Sequence, residues 1–461
     1  MKTIRVGNGA GFWGDHPDAP LRLAEQGDID FLTLEYLAEL TMSILAQQKS
    51  HDEHAGYVTD FPEVVYRLAP WLSGNSPLKI VTNAGGMNPP RCAYAVGKIL
   101  SSSGWGDISI AAVTGDDLFP QWSELLAAGE TFPHFDTGES IADVQHLVTS
   151  ANVYLGAAGI VSALDLGADV VITGRIADAS LTVGPAVHAF DWKWNDWQRL
   201  AAATVAGHLI ECGAQMTGGM FSDWNETISL GDIGYPIAEL SGDGSVIVTK
   251  PEGSGGAVTV ATVSEQLVYE IGDPEHYLTP DVDVDFSHVR LEQAGVDRVA
   301  VHDARGDPAP ETLKTSISYQ DGYLGSGTIV IIGPNALNKA QACARAMQQK
   351  LNAAGLFPQR WNVEYLGAGD VLAGLVPRAI DPPEIVLRFT IHDAARAVVD
   401  RSLRELVPLV TSGPPGVTGY TGARAKARRV LSYWPSLISR SRVAPSVEVK
   451  SATEWCDGDD L

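Results

Sequence analysis

The sequence predicts an α/β protein whose N-terminal part contains a mainly parallel sheet. Short apolar runs alternate there with helical patterns, and the later runs end in glycine or small polar residues, as in I-T-G-R-I-A-D-A-S at Ile172–Ser180. Apolar strand, small loop and helix in repetition is the pattern of parallel strands joined by helices. The 47 glycines among 461 residues suit such a fold, because its strand-to-helix turns need open backbone conformations.

Five runs in the first half are predicted to be strands, and three segments between them are predicted to be helices. The strands are Thr3–Val6, Phe31–Leu34, Leu78–Thr82, Ile108–Val113 and Val170–Thr173. The helices are Pro20–Gln26, Tyr94–Ser101 and Ala157–Leu166. Ligands of such sheets bind at the carboxyl ends of the strands, so the loops that follow these runs are candidate site loops.

A change of pattern near Asp223 divides the chain into three predicted domains. Residues 1–222 are expected to form the α/β domain with glycine-rich strand-end loops, and 223–312 a β-rich segment with a turn at Asp243-Gly244. Residues 313–461 are expected to form an α+β domain, ferredoxin-like in kind, with an irregular C-terminal arm.

The elements of the third domain follow from its own apolar pattern. They are strands Lys314–Tyr319 and Gly327–Ile332, helix Asn338–Ala354, strands Trp361–Leu366 and Glu384–Thr390, and helix Ala394–Leu406. Pro408 is expected to end the last helix, because proline cannot donate a helical hydrogen bond.

Composition excludes several classes of protein. A net charge of −24 should repel nucleic acid and anionic membranes, so neither is expected as a partner. The four cysteines form no C-x-x-C pair, which argues against a disulfide framework or a structural zinc site. Without an apolar leader or a run of about 20 apolar residues, we expect a cytoplasmic protein, and we expect a homo-oligomer. The densest basic group is interpreted as a solvated helix face and contains Arg424, Lys426, Arg428 and Arg429.

The opening motif G-A-G-F-W-G, Gly9–Gly14, has the spacing of a dinucleotide-binding loop. Such a loop needs a helix that begins within it, and Pro17 and Pro20 follow too closely for that. The motif is therefore predicted to be a substrate-facing turn. Its candidate substrate-binding residues are Asn8, Gly9, Gly11, Trp13 and Asp15.

Two further strand-end loops are candidate anion or carbonyl sites. T-N-A-G-G-M-N-P offers backbone N–H groups and amide donors, although a tight turn capped by its asparagines is the alternative. Arg175, just beyond a strand that should be buried, needs either Asp178 or an anionic ligand as its partner. The candidate substrate-binding residues of the first loop are Asn83, Gly85, Gly86 and Asn88.

Paired carboxylates after the fourth predicted strand are candidate catalytic residues. Asp116 and Asp117 could hold a divalent metal, act as general base, or cap the next helix. Glu35 and Glu39 are spaced i, i+4 and are expected to share one helix face.

His208 is the histidine best placed for proton transfer, with a satisfied core residue as the alternative. Asp178 is counted with it among the candidate catalytic residues, and Cys212 is a candidate nucleophile. Lys250 begins a glycine-rich loop that would either bind substrate or form a hairpin tip.

Six ordered motifs between Lys2 and Val443 resemble the acyclic terpene utilisation protein A (AtuA) family. The resemblance implies a role in degrading acyclic terpenoids such as citronellol and geraniol through CoA thioesters. It brings no settled catalytic residues with it. The motifs are G-N-G-A-G-F-W-G-D, V-T-N-A-G-G-M-N-P, V-I-T-G-R-I-A-D-A-S-L-T-V-G-P, the segment around His208, D-I-G-Y-P-I-A-E and P-P-G-V-T-G-Y-T-G.

The resemblance implies a branched acyl-CoA or a related hydroxy acid as substrate. We therefore expect an enzyme of small-molecule catabolism or secondary metabolism, a lyase or hydro-lyase for which the CoA thioester is substrate and not cofactor. No organic cofactor is expected, and a divalent metal is left open.

The alternative function is a non-catalytic acyl-CoA-binding or scaffold subunit. Many members of the AtuA family, which the sequence resembles, continue into a small ferredoxin-like domain or are encoded beside a separate small protein of that kind. The sequence stops soon after Val443, so we expect either that a small partner protein supplies such a domain or that the chain has diverged to another substrate.

Overall fold

The computed structural model describes residues 2–73, 78–224, 228–377, 379, 381–419 and 424–457. The strands are β1 Thr3–Asn8, β2 Phe31–Leu34, β3 Lys79–Thr82, β4 Ser109–Thr114, β5 Val148–Val153, β6 Val170–Thr173, β7 Ile237–Ser241, β8 Val246–Thr249, β9 Tyr277–Leu278, β10 Asp283–Asp285, β11 Arg290–Gly295, β12 Arg298–His302, β13 Arg305–Asp307, β14 Thr312–Ile332, β15 Arg360–Leu366, β16 Glu384–Asp393, β17 Arg428–Ser439 and β18 Ser446–Ser451.

The helices follow the same chain order. They are α1 Ala19–Gln26, α2 Glu39–His51, α3 Phe61–Leu72, α4 Pro89–Ser102, α5 Trp122–Ala127, α6 Ala158–Asp165, α7 Ser180–Phe190, α8 Trp197–Ile210, α9 Val260–Leu267, α10 Ala336–Ala353, α11 Arg396–Leu403, α12 Leu409–Ser412 and α13 Ala452–Asp457.

The chain divides into two compact units. The first, unit 1, spans residues 1–143, 149–317 and 433–461, and the second, unit 2, spans 144–148 and 318–432. The β-rich segment expected for 223–312 lies in unit 1, together with most of 1–222.

Unit 1 is built on a ten-stranded sheet in the order β11-β12-β8-β7-β1-β2-β3-β6-β4-β18. The five strands from β1 to β4 in this order pair in parallel. The strands outside them pair antiparallel. The α/β class is thus confirmed, and the sheet is mixed instead of mainly parallel.

Helices cover both faces of the parallel strands. Leu32, Ile80 and Ile110 belong to a core cluster with side chains of α1, α3, α4 and α13. Val81 and Val171, whose side chains point to the opposite face, are also fully buried. Strands buried on both faces read as continuous apolar runs, which is why their sequence signal is strong.

The strand order changes direction within the parallel part. The chain passes from β3 through α4 to β4, and then returns through α6 to β6, which lies between β3 and β4. Because strand crossovers are right-handed, a reversal of direction moves the connecting helix to the other face. In open α/β sheets, ligands generally bind at the carboxyl ends of the strands where this happens.

The C-terminal segment corrects one expectation, because it is regular and not an irregular arm. Strand β18 pairs antiparallel with β4, from Ser446 opposite Thr114 to Ser451 opposite Ser109. Helix α13 follows, and Trp455 is fully buried and donates to the Ile110 carbonyl oxygen at 2.9 Å. An edge strand that alternates apolar and polar residues over six positions carries a weak sequence signal.

Unit 2 contains most of β14, followed by α10, β15, β16, α11 and the first residues of β17. These strands belong to a five-stranded sheet in the order β15-β16-β14-β17, in which β5 also pairs with β14. Two details differ from expectation. The segments expected as two strands form the single 21-residue strand β14, and α11 ends at Leu403, so that Pro408 instead precedes α12.

Candidate functional site

Each of the five parallel strands is followed by, or ends in, a buried polar side chain. Asn8 ends β1, Glu35 follows β2, Asn83 follows β3, Asp116 follows β4 and Arg175 follows β6, and each is at most 6% exposed. Burial of a polar group is unfavourable unless the group has a partner. The contacts of these side chains therefore define the carboxyl edge of the sheet.

Asp116 holds the turn that carries Arg175. Its Oδ2 accepts hydrogen bonds from the Arg175 backbone N–H at 2.8 Å and from Asn152 Nδ2 at 2.9 Å. Gly174 permits this approach, since a Cβ there would lie 2.3 Å from Asp116 Oδ1. Burial raises the pKa of Asp116 to about 6. These contacts give Asp116 a positioning role.

The Arg175 guanidinium is the central cation of the edge. Its Nη1 donates to the Leu37 carbonyl oxygen at 2.9 Å and lies 3.9 Å from Glu35 Oε1. Its Nη2 lies 3.1 Å from Asp178 Oδ1, and Cζ lies 4.1 Å from the centre of the Tyr154 ring. The structure therefore brings Arg175 and Asp178 together, as the sequence indicated.

Glu35 and Glu39 do not share a helix face, which corrects the expectation from their spacing. Glu35 precedes α2 and accepts hydrogen bonds from Asn83 Nδ2 at 2.6 Å and from the Leu37 N–H at 2.8 Å. Glu39 is the first residue of α2 and accepts from the Tyr154 hydroxyl at 2.6 Å.

A histidine–glutamate pair lies at the end of α8. His208 Nε2 is 3.0 Å from the Gln266 carbonyl oxygen, and His208 Nδ1 is 3.3 Å from Glu211 Oε1. A carbonyl oxygen only accepts hydrogen bonds, which assigns a proton to Nε2. Any further proton is therefore shared between Nδ1 and the Glu211 carboxyl group.

Gly207 places this pair beside the turn after β6. A Cβ on Gly207 would lie 2.7 Å from the Ala179 carbonyl oxygen, so α8 approaches the chain directly after Asp178. Consistent with this proximity, the charge of Asp178 contributes to the pKa of Glu211. We call the group formed by Glu35, Arg175, Asp178, His208 and Glu211 the strand-end site.

Burial governs the protonation of the strand-end site. It raises the pKa of Glu211 to about 7, against the opposing effect of His208, and it raises the pKa of Glu35 and of Asp178. Burial opposes protonation of His208, but the hydrogen bond and charge of Glu211 outweigh it and raise the pKa of the imidazole. Groups whose pKa lies near neutrality and whose shift comes from burial are typical of functional sites.

Several buried polar atoms of the site lack a well-formed hydrogen bond within the part of the chain that the structure describes. Native proteins leave few such atoms, and a ligand, an ion or a water molecule usually satisfies them. The grouping of these atoms makes this edge of the sheet the candidate binding site. The atoms are Arg175 Nε, Asp178 Oδ1, His208 Nδ1, Glu211 Oε2 and Gln266 Oε1.

The opening loop adjoins the site but satisfies its own polar groups. Asp15 accepts from the Gly11 N–H at 2.8 Å and also from the Tyr235 hydroxyl. Asn8 Nδ2 donates to the Glu211 carbonyl oxygen at 2.9 Å, which ties β1 to the end of α8. No helix begins at the glycines, because α1 starts at Ala19.

The second glycine loop is a tight turn. Gly85 packs on β6, since a Cβ there would lie 2.5 Å from the Thr173 carbonyl oxygen, and Gly86 has a φ of +53°. Asn88 Nδ2 donates to the Glu53 and Ala55 carbonyl oxygens at 2.9 and 3.0 Å. Of the polar residues in this loop, Asn83 is the one in contact with the strand-end site.

Gly9 and Trp13 have packing contacts in the opening loop. The Gly9 N–H donates to the Thr33 carbonyl oxygen at 2.9 Å, and a Cβ there would lie 3.0 Å from Pro20. Trp13 Nε1 donates to Asp60 Oδ2 at 3.2 Å.

Two predicted residues make their contacts with other groups. Lys250 Nζ is buried, donates to the Ser254 carbonyl oxygen at 2.7 Å and lies 3.1 Å from Asp297 Oδ2. Asp117 Oδ1 accepts from the Phe119 N–H at 3.0 Å, and Leu118 is the residue that caps the 3₁₀ helix Phe119–Gln121.

Asp116 Oδ2 and Asp117 Oδ1, one oxygen of each carboxylate, accept hydrogen bonds from protein donors. Among the described residues, no group of three or more His, Cys, Asp or Glu side chains is arranged to hold a metal ion. Likewise, none of the helices in the described ranges is long and apolar enough to span a membrane.

Tyr154 and Gln266 belong to the site but were not indicated by the sequence. Tyr154 follows β5, whose N-V-Y-L run contains no glycine or small polar turn. Gln266 lies on α9, and the one local signal there is the capping box of Thr259 and Thr262, which marks a helix start and says nothing of a site.

These features define an α/β protein with a buried charged site at the carboxyl edge of its parallel strands. The model of the acyclic terpene utilisation family protein AtuA matches residues 4–449. The chain therefore belongs to the AtuA family, which confirms the resemblance and implies a role in acyclic terpene utilisation. No curated protein and no solved structure matches the chain.

The raised pKa values of the site carboxyls predict that stability falls as pH rises from about 4 to 7. A carboxyl whose pKa is higher in the folded than in the unfolded state binds more protons when folded, so deprotonation favours unfolding. The pKa of Glu211 rises from 4.5 to about 7 and that of Asp116 from 3.8 to about 6, which defines this range. The pKa shift of Glu211 alone corresponds to a loss of folding stability on the order of 3 kcal/mol across this range.

Thermal unfolding midpoints measured between pH 4 and 7 test this expectation. The midpoint should be highest near pH 4, and Glu211→Gln should flatten the decline. Glu25→Gln, which changes an exposed carboxylate on α1, is the matched control and should leave the slope unchanged. A midpoint that rises steadily towards pH 7 would contradict the prediction.

Proposed function

We propose that this protein is a lyase or hydro-lyase that moves a proton at the carbon next to the carbonyl of a branched acyl-CoA or a related hydroxy acid. One observation carries the proposal. A buried guanidinium and a proton-sharing histidine–glutamate pair lie at the same edge of the sheet, and each has an unpartnered polar atom.

Arg175 is the proposed partner of the substrate oxygen. Its guanidinium remains charged at every relevant pH, and its Nε–H has no acceptor among the described residues. Burial raises the pKa of Glu35 and of Asp178, and the charge of Arg175 opposes this rise. A fixed cation of this kind stabilises the negative charge that develops on an enolate oxygen.

Glu211 is the proposed acid–base group, with His208 as its positioning residue. The Glu211 Oε1 faces the imidazole, and Oε2 is buried without a partner among the described residues. A carboxyl group with a pKa near 7 is suited to both removing and returning a proton at neutral pH. The Gln266 carbonyl oxygen fixes the imidazole through its Nε2–H, so His208 Nδ1 can hold the transferred proton.

Membership in the AtuA family supports an acyl substrate, since the pathways of acyclic terpene utilisation would supply branched acids. The proposal assigns no step to a metal, and the proton transfer is assigned to Glu211 and His208. Cys212 is not needed as a nucleophile, and burial raises the pKa of its thiol to about 12, which disfavours the reactive thiolate.

Hydrogen exchange at the α-carbon tests the proposal without knowledge of the product. The protein is incubated in D₂O with branched saturated, unsaturated and 3-hydroxy acyl thioesters, and with free hydroxy acids, with and without Mg²⁺. We expect deuterium at the α-carbon of at least one of them by mass spectrometry. A thermal shift should accompany binding.

The alternative of a non-catalytic subunit gives a different result. A scaffold would show no exchange with any compound, and its unfolding midpoint would move only when a small partner protein is added. That outcome would overturn the proposed reaction.

A further inference from the structure

Unit 2 contains a basic groove that the proposed reaction does not use. The cavity has a volume of about 1140 Å³ and lies between β14 and the segment that contains α11 and α12. Its lining contains the basic residues Arg396, Arg404, Arg424 and Lys426 and the acidic residue Asp400. Basic groups thus outnumber acidic ones in the groove, whereas the whole chain has 56 acidic and 32 basic residues.

The single acidic residue is already engaged. Asp400 Oδ1 accepts from the Ala427 N–H at 2.9 Å, and Asp400 Oδ2 lies 3.4 Å from Arg396 Nε. No ion pair is found for Arg404, Arg424 or Lys426 in the described ranges of the chain. Three exposed cations are therefore available to one ligand.

One wall of the groove is apolar. Leu406 and Val407 contribute to it, and Gly327 lets this wall approach β14, because a Cβ there would lie 2.6 Å from Leu406. The groove thus combines a cationic rim with an apolar surface.

The basic residues do not form the solvated helix face that their spacing suggested. Arg424 and Lys426 lie outside any helix or strand, and Arg428 and Arg429 begin β17. The first two line the groove, and the other two do not contribute to its lining. This division supplies a matched control within one short segment.

We propose that this groove binds a nucleotide polyphosphate. Arg404, Arg424 and Lys426 would hold the phosphates, for which guanidinium groups have a fitting geometry, and the base would lie against the half-buried Val407. The cavity is large enough for such a ligand. The nucleotide is either a free one or the nucleotide part of a CoA ester, and the site does not depend on the proposed reaction.

Calorimetric titration of the full chain tests the proposal, with ATP, ADP, CoA and pyrophosphate as ligands. We expect saturable binding of at least one nucleotide, weakened by added salt. The double variant Arg404→Gln/Arg424→Gln should lose at least tenfold in affinity. The control Arg428→Gln/Arg429→Gln should change affinity less than twofold. Tighter binding of CoA than of ADP would identify the nucleotide as that of a CoA ester.

Two outcomes would overturn the proposal that the groove binds a nucleotide. One is no saturable nucleotide binding at millimolar concentration, and the other is an equal loss in both double variants, which would indicate unspecific attraction. The variants replace exposed side chains, and their unfolding midpoints verify folding. Exchange measured with an acyl-pantetheine thioester, which has no nucleotide, reports on the strand-end site alone. Failure of the groove is therefore distinguishable from failure of the proposed reaction.

Discussion

Replacement of Glu211 by glutamine is expected to lower the rate of α-proton exchange by about 100- to 10,000-fold. Glutamine keeps the size of the side chain and can still lie next to His208, but its amide cannot take up and return a proton. Binding should change much less than the rate, because Arg175 and the remaining site contacts stay in place. The readout is the exchange rate at saturating thioester, with the dissociation constant measured separately.

The pH dependence of exchange provides a second readout. If the Glu211 carboxylate removes the proton, the wild-type rate should rise through the pKa of the His208–Glu211 pair, which lies near 7, and level off above it. The rise should be absent in the residual rate of Glu211→Gln. The control Glu252→Gln changes a carboxylate of an exposed loop and should retain the wild-type profile. Exchange by Glu211→Gln within twofold of wild type would remove Glu211 from the mechanism.

Substitution of Arg175 by methionine should reduce the free energy of unfolding by about 3–5 kcal/mol, the usual cost of removing one partner of a buried ion pair. The Leu37 carbonyl oxygen loses its donor, and Glu35 and Asp178 lose the cation between them. Methionine retains the length and apolar contacts of the side chain, so the effect reports on charge and hydrogen bonding.

A double-mutant cycle separates this effect from a general loss of packing. Glu35→Gln combined with Arg175→Met should recover part of the lost stability, because no charge at Glu35 then needs a partner. Chemical denaturation measures the cycle. Arg22→Met is the control, since its ion pair with Asp232 is solvent-exposed and should contribute under about 1 kcal/mol.

Arg175→Lys covers the case in which the methionine variant does not fold. Lysine keeps the charge but cannot reproduce the planar contacts with Leu37, Asp178 and the Tyr154 ring. We expect a folded protein with lower stability and without ligand stabilisation. A decrease of less than about 1 kcal/mol in the free energy of unfolding of either variant would contradict the expected contribution of Arg175 to stability.

Much of the α/β core was predictable because its signal is local. The bounds of β2 and β6 agree with the apolar runs Phe31–Leu34 and Val170–Thr173, and α1 differs from its predicted bounds by one residue. These strands are buried on both faces, so nearly every residue in them is apolar. Glycines within β14 weaken its sequence signal for a strand, and two separate strands were predicted where the structure has one.

The candidate site could be predicted only in part. Strand-end position correctly indicated Asn83, Asp116 and Arg175 as members of one edge. Strand-end position does not indicate the direction of a side chain. Lys250 is an example, because its ammonium group pairs with Asp297. Local pattern tells where a strand ends, and the direction of a side chain depends on its packing.

Local pattern alone predicts the α/β class and the absence of a helix at Gly9–Gly14, because the apolar pattern and the prolines act on neighbouring residues. The effect of the Asp178 charge on the pKa of Glu211 depends on the insertion of β6 between β3 and β4 and on the approach of α8 at Gly207. Burial then raises the pKa values of the two carboxyls. Burial and proximity arise only when distant segments pack together, so they belong to the tertiary structure.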